Sequence, residues 1–345
     1  VESILPLHTR GQRPTWGARG ESLAFDRVDA LGYSRLYIAD SDGRGARCLT
    51  CEPYGFRRRH TASATWHPSG EYLVFHAEEP VREADRPLPF RKVPGGNRGE
   101  SLWAITRNGR VFWDMTPRGA EGIRFSEPRF SPEGGQLLWS ERIASGGGAW
   151  GRWSLNTADF AISRGTPRLK NIRSVEPGPQ RLYIESCDFT RDQKGALFAA
   201  PLEVAQSEMG LDLYELTFDG GAVRQLTHTP DELDRFARFS PNGKWVAWVS
   251  NRGIPGRQRD VPRAAPIATA SDLWLMPAAG ADSEAQAIRL THFSDVFSSS
   301  YTGKMAVGPP AWHPEGDRLV VEVAPLGAPE ESELYVIRFK EPIGR

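Results

Sequence analysis

One phrase recurs along this chain and narrows its possible folds more than any other feature. "SATWHPSGEYLVFHAEE", "EPRFSPEGGQLLWSER", "RFARFSPNGKWVAWVSNRG" and "PPAWHPEGDRLVVEVAP" each run an aromatic into a Ser/His-Pro-x-Gly turn and then into apolar residues. The turn register falls at Trp16 to Gly20, Trp66 to Gly70, Phe130 to Gly134, Phe239 to Gly243 and Trp312 to Gly316. A degenerate sixth copy, "FTRDQ", starts at Phe189 and has Gln193 where glycine belongs. Two further registers keep step with it. One is a Leu-aromatic or similar pair at Tyr37, Trp103, Trp153, Tyr214, Trp274 and Tyr335; the other is a closing Leu/Met-Thr at Thr50, Thr116, Thr227 and Thr291. Self-similarity at a fixed period is the mark of a repeat architecture.

Six units of about 60 residues, each with four short β signals, predict an all-β, six-bladed β-propeller with four-stranded blades. The inner strand of each blade ends at the turn aromatic, and the Pro-x-Gly turn reverses the chain into a second strand. A third strand carries the Leu-aromatic pair, and a fourth ends at threonine. The expected blades are approximately 13–50, 60–116, 124–175, 181–227, 235–291 and 308–340, in one propeller over 1–345. After Tyr335 only ten residues remain, too few for a turn and a fourth strand. "ILPLHT" near the N-terminus resembles "VRQLTHT" at 223–229, so Ile4 to Thr9 is expected beside Leu334 to Phe339, closing the last blade. Repeat equivalence also marks Trp66, Phe130, Phe239, Trp312, Trp103 and Trp274 as core residues.

Composition agrees with this reading. The 35 glycines and 27 prolines are spread along the chain, which suits many short strands and leaves little room for long helices. The 43 basic and 43 acidic residues balance, so no global field points to nucleic acid or membrane. No apolar run is long enough to span a bilayer as a helix. Cys48 and Cys51, in "CLTC", have a spacing open to a small loop disulfide or to two free thiols. The chain starts at Val1, which points to a removed leader or a trimmed end, and an exported protein is expected.

The "FSPxG" phrase followed by a "DLW"-type strand resembles the TolB-like, WD40-like family of six-bladed propellers, across residues 3 to 340. That resemblance implies a periplasmic or extracellular protein. Its members include periplasmic interaction proteins, the propeller halves of prolyl-oligopeptidase-like peptidases, and lyases that hold a metal through channel histidines. The channel histidines of such a lyase are not evident in this sequence, and the propeller is expected to take up residues 1–345, so no peptidase domain is expected among them. The resemblance is specific for fold and weak for function.

Propeller connectivity puts the first-to-second and third-to-fourth turns on one face, and these are short here. The second-to-third loops and the inter-blade connections share the other face and carry the insertions, at 77–100, 141–150, 251–271 and 292–310. Long excursions on a rigid scaffold are where binding residues concentrate; covering the channel mouth is the plainer alternative. Arg57, Arg58, Arg59, Arg91, Lys92, Arg257 and Arg259 give this face a basic rim suited to a protein or acidic glycan partner.

The residue before each turn aromatic lies beside the channel: Thr15, Thr65, Arg129, Asp188, Arg238 and Ala311. Arg129 and Arg238 around one carboxylate form either an anion clamp or an inter-blade ion pair. Glu127, Glu185 and Asp188 are the candidate catalytic carboxylates if the protein is a carbohydrate-active lyase or hydrolase. The histidines form no ligand set, no hydrolase or phosphate-loop motif is complete, and neither metal nor cofactor is expected. The favoured expectation is a non-catalytic exported propeller, an interaction or structural subunit working through its long-loop face.

Overall fold

Five consecutive blades share one meander, and the sixth is completed from the far end of the chain. The computed structural model describes residues 1–51, 56, 59–79, 99–116, 124–144, 151–175, 177, 183–203, 206, 210–254, 269–279, 284–298, 301 and 303–343. Blade 1 holds β2 (Gln12–Trp16), β3 (Ser22–Val28), β4 (Ser34–Asp40) and β5 (Arg47–Cys48), paired in that order. Blade 2 holds β6 (Thr61–Trp66), β7 (Tyr72–Glu78), β8 (Glu100–Thr106) and β9 (Phe112–Asp114). Blade 3 holds β10 (Arg124–Phe130), β11 (Gln136–Ala144), β12 (Arg152–Ser163) and β13 (Thr166–Val175). Blade 4 holds β14 (Glu185–Phe189), β15 (Gly195–Ala200), β16 (Asp212–Thr217) and β17 (Val223–Gln225). Blade 5 holds β18 (Arg235–Phe239), β19 (Trp245–Ser250), β20 (Asp272–Pro277) and β21 (Ile288–Arg289).

In blade 6, β22 (Met305–Val307) and β23 (Ala311–Trp312) share the inner position and pair with β24 (Arg318–Pro325). Beyond β25 (Glu333–Arg338) the outer strand is β1 (Ser3–Arg10), with Ile4 opposite Ile337 and Leu5 opposite Val336. The N-terminal strand therefore closes the ring as its sequence anticipates, and an open edge between first and last blades is removed.

Each register of the repeat has a physical job. The turn glycines 20, 70, 134, 243 and 316 all have positive φ, which only glycine adopts without strain. In the degenerate blade 4 turn Gln193 takes the same conformation, at φ 60°. Gly20 and Gly134 serve packing as well, because a Cβ would strike the rings of His313 and His67 from the preceding blade. The closing threonines act as caps between strands: Oγ1 of Thr50, Thr116, Thr227 and Thr291 accepts from the N–H of Leu36, Leu102, Leu213 and Leu273 at 2.9–3.0 Å.

Apolar residues fill both faces of the sheets, as blade-on-blade packing requires. Trp139, Trp248, Phe25, Phe75 and Phe198 are fully enclosed between blades. Trp66 and Phe130 are buried, whereas Trp103, Phe239, Trp274 and Trp312 are partly buried and pack on the same clusters. A disulfide joins Cys48, the last residue of β5, to Cys51.

Candidate functional site

The inner strands share a defect that shapes the channel wall. In blades 1 to 5 the residue four before the turn aromatic pairs with the residue ten after it, and the residue one before pairs with the residue eight after. Two residues therefore face one, a β-bulge in every inner strand. The bulged residues Arg13, Ser63, Glu127 and Phe236 have φ of 42–56°, left-handed backbone held by its surroundings. Each bulge turns an N–H out of the ladder, and a buried N–H needs an acceptor.

At Arg13, Ser63, Ser186 and Phe236 the acceptor comes from the preceding blade. Oε2 of Glu322 (β24) accepts from Arg13 N at 2.9 Å, Oδ2 of Asp26 (β3) from Ser63 N at 2.9 Å, and Oγ of Ser140 (β11) from Ser186 N at 2.7 Å. All three acceptors stand ten residues after a turn aromatic. In blade 4 that position is Ala199, and Oε1 of Glu185 instead accepts from Phe236 N at 2.8 Å. In blade 5 it is Val249, and the facing bulge position in blade 6 is Pro309, which has no N–H to satisfy.

The candidate carboxylates are engaged in this masonry. Oε2 of Glu127 meets Nη2 of Arg129 at 2.7 Å and Nη2 of Arg238 at 2.9 Å. Burial pushes its carboxyl up, but the surrounding cations, Arg129 and Arg238 first and then Arg13, together leave the pKa below the ordinary value. Glu185 is fully buried against Arg235, and the hydroxyl of Tyr183 donates to it at 3.0 Å. Asp188 accepts from Phe239 N across the blade joint at 3.0 Å and from its own neighbour Phe189 N at 2.9 Å. Burial raises its pKa against the pull of Arg238 and Arg129. Arg238 also donates to the Cys187 carbonyl at 2.6 Å. The Arg129–Glu127–Arg238 cluster is thus an ion-paired bridge between blades 3 and 5.

Sequence reading missed the other half of the wall. Arg13 Nε donates to Asp26 Oδ2 at 2.6 Å, and His76 Nδ1 lies 3.4 Å from Glu100 Oε2. Burial, aided by Arg13, lowers the His76 pKa to about 4, so the ring is neutral. Burial raises Glu100 and Glu322 to about 7. A signal was present: Asp26, His76 and Glu322 are titratable residues at one repeat position, each ten residues after a turn aromatic.

On the long-loop face, Arg57, Arg58, Arg91, Lys92, Arg257 and Arg259 lie outside the described residues. Arg59 departs from its expected place at the rim. It is buried, with its guanidinium 5.5 Å from the centre of the Trp103 ring. Two other cations here are also committed, Arg35 to Asp29 at 2.7 Å and Arg252 to Asp234 and Glu284. Among its described residues this face exposes Phe297 at 95%, Val296 at 57% and Leu31 at 76%, beside polar residues such as Asp231 and His292. Among the described residues, one group has metal-ligand spacing, His313, Glu315 and Asp317, on the opposite face. His313 Nδ1 lies 3.3 Å from Asp317 Oδ1 there, and Arg318 pairs with the same carboxylate at 2.7 Å.

No family model and no curated protein matches the chain. Among solved structures, TolB from Acinetobacter baumannii superposes with a TM-score of 0.54 at 16% identity, over 94% of this chain and 65% of that one. The fold is that of a TolB-like six-bladed propeller. An oligogalacturonate lyase solved with manganese shares this propeller, with a TM-score of 0.51 at 13% identity over 98% and 91% of the two chains. So does a puromycin-hydrolysing peptidase from Mycobacterium tuberculosis, with a TM-score of 0.53 at 15% identity. The propeller described here spans 46% of that peptidase. Identities this low establish architecture and leave function to the site.

Proposed function

We propose that this propeller is a non-catalytic, exported interaction subunit whose long-loop face receives a protein or acidic glycan partner. One observation carries the reading: Glu127, Glu185 and Asp188 are each consumed by guanidiniums or backbone N–H groups at blade joints. A general acid or base needs reach to a substrate proton, and these groups spend theirs on the scaffold. The almost fully exposed Phe297, with Val296 and Leu31, gives the same face the apolar anchors that protein interfaces use. The Cys48–Cys51 disulfide suits an oxidising compartment, the periplasm or the extracellular space. No helix among the described residues is long and apolar enough to cross a membrane.

A second reading has one observation in its favour. Glu322, raised to about 7 by burial beside Arg13, is the kind of perturbed acid that a lyase or hydrolase uses. One experiment separates the two: incubate the protein with oligogalacturonate, following binding and chain cleavage together at low and high salt. The expected result is binding that weakens with salt and again in Arg57→Ala/Arg58→Ala, with no cleavage. Cleavage that disappears in Glu322→Gln or Glu127→Gln would replace the interaction reading with the enzymatic one.

A further inference from the structure

The outer edges of the blades are unequal. β5, β9, β17 and β21 are two or three residues long, which leaves no length of ladder to pair with. The outer strand of blade 3, β13, is ten residues long and turns from β12 through Arg164 and Gly165, both at positive φ. At about 3.3 Å per residue its regular stretch from Thr166 to Lys170 offers roughly 16 Å of edge, ahead of a bulge where Asn171 has φ 51°. One side of it pairs with β12 from Leu155–Val175 to Ser163–Thr166, and nothing in the described structure covers the other.

Its charge is one-sided. Residues 152–175 carry Arg152, Arg164, Arg168, Lys170 and Arg173 against the single acid Asp159. Arg164, Arg168, Lys170 and Arg173 are exposed and make no ion pair among the described residues. Asp159 is occupied by the Asn171 amide at 2.6 Å. Ile172 is half exposed on the same strand. Two copies of this edge would bring like charges together, which opposes self-pairing. The same charges favour an extended strand of opposite sign.

We infer that β13 is a docking edge for an extended acidic segment of a protein partner, which adds to blade 3 as a fifth strand. Its backbone supplies the ladder, the four cations meet acidic side chains, and Ile172 takes an apolar residue. This surface lies on the rim of the propeller, apart from the long-loop face.

The test uses the full chain and a ten-residue peptide of alternating Glu and Val. A second peptide has the same side chains with alternate backbone nitrogens methylated, so it keeps its charge and loses ladder donors. The first peptide should slow amide exchange within 166–175 and bind more weakly as salt rises. Arg168→Glu/Lys170→Glu, at exposed positions, should weaken it roughly tenfold or more without changing the melting temperature. The methylated peptide should fail to bind. Equal binding of both peptides would overturn the proposal in favour of a charge-only surface, such as one for an acidic glycan. Absence of binding, or protection confined to other strands, would overturn it as well.

Discussion

The joint between blades 1 and 2 and the joint between blades 5 and 6 occupy equivalent places in the ring and are built from opposite chemistry. At the first, the fully buried Asp26 receives the N–H of Ser63 and the guanidinium of Arg13. At the second, the same positions hold Val249 and Pro309, and there is neither acceptor nor donor. Each arrangement leaves no buried N–H unpaired. The difference teaches that Asp26 answers a backbone need, since the need and the acceptor vanish together. A catalytic acid would have no reason to follow the bulge of the next blade.

The comparison breaks most severely at Asp26. Asp26→Ala strands a buried N–H and a guanidinium together, and unfolding measured in urea should show a loss of about 3–5 kcal/mol. Val249→Ala leaves only a small void at the equivalent place and should cost clearly less. The converse substitution, Pro309→Ala, creates a buried N–H opposite Val249 with no acceptor. It should cost about 1–3 kcal/mol in the same assay. A cost near zero would mean that water already reaches this joint.

The smallest effect is one of pH. Burial raises Glu100 from 4.5 to about 7, so the unfolded chain gives up this proton first. Between these values the folded state binds more protons, and this group's contribution to stability falls as pH rises. Glu100→Gln removes that dependence. The melting temperature of the variant relative to the unsubstituted protein should therefore climb from pH 4.5 to 7 and level off above. A difference that is flat with pH would show Glu100 solvated.

The architecture was legible because the repeat is written in residues with single roles. Turn glycines, closing threonines and the N-terminal surrogate strand all sit where their periodicity puts them. The channel was legible only in part. Arg129, Asp188 and Arg238 were found from their place before the turn aromatic, but their partners depend on the bulge, which shifts register by one residue. Once that offset is known, Asp26, His76 and Glu322 line up by counting ten residues from the aromatic. Arg59 was misplaced because a run of arginines reads as solvated charge, and stacking on Trp103 depends on a strand far along the chain. The long β13 gave no signal of its own, since its residues read equally well as a short strand followed by a loop.

Amide hydrogen exchange at Arg13, Ser63, Ser186 and Phe236 tests the structural role of the channel acids most directly. These N–H groups lie outside the ordinary ladder, at bulges in the channel wall. If Glu322, Asp26, Ser140 and Glu185 hold them as mortar between blades, all four should exchange only through global unfolding, at the rate of the core strands. Asp26→Ala should release Ser63 selectively. Rapid exchange at all four in the unsubstituted protein would contradict this, because it would place the carboxylates in an open, hydrated channel where a substrate could reach them.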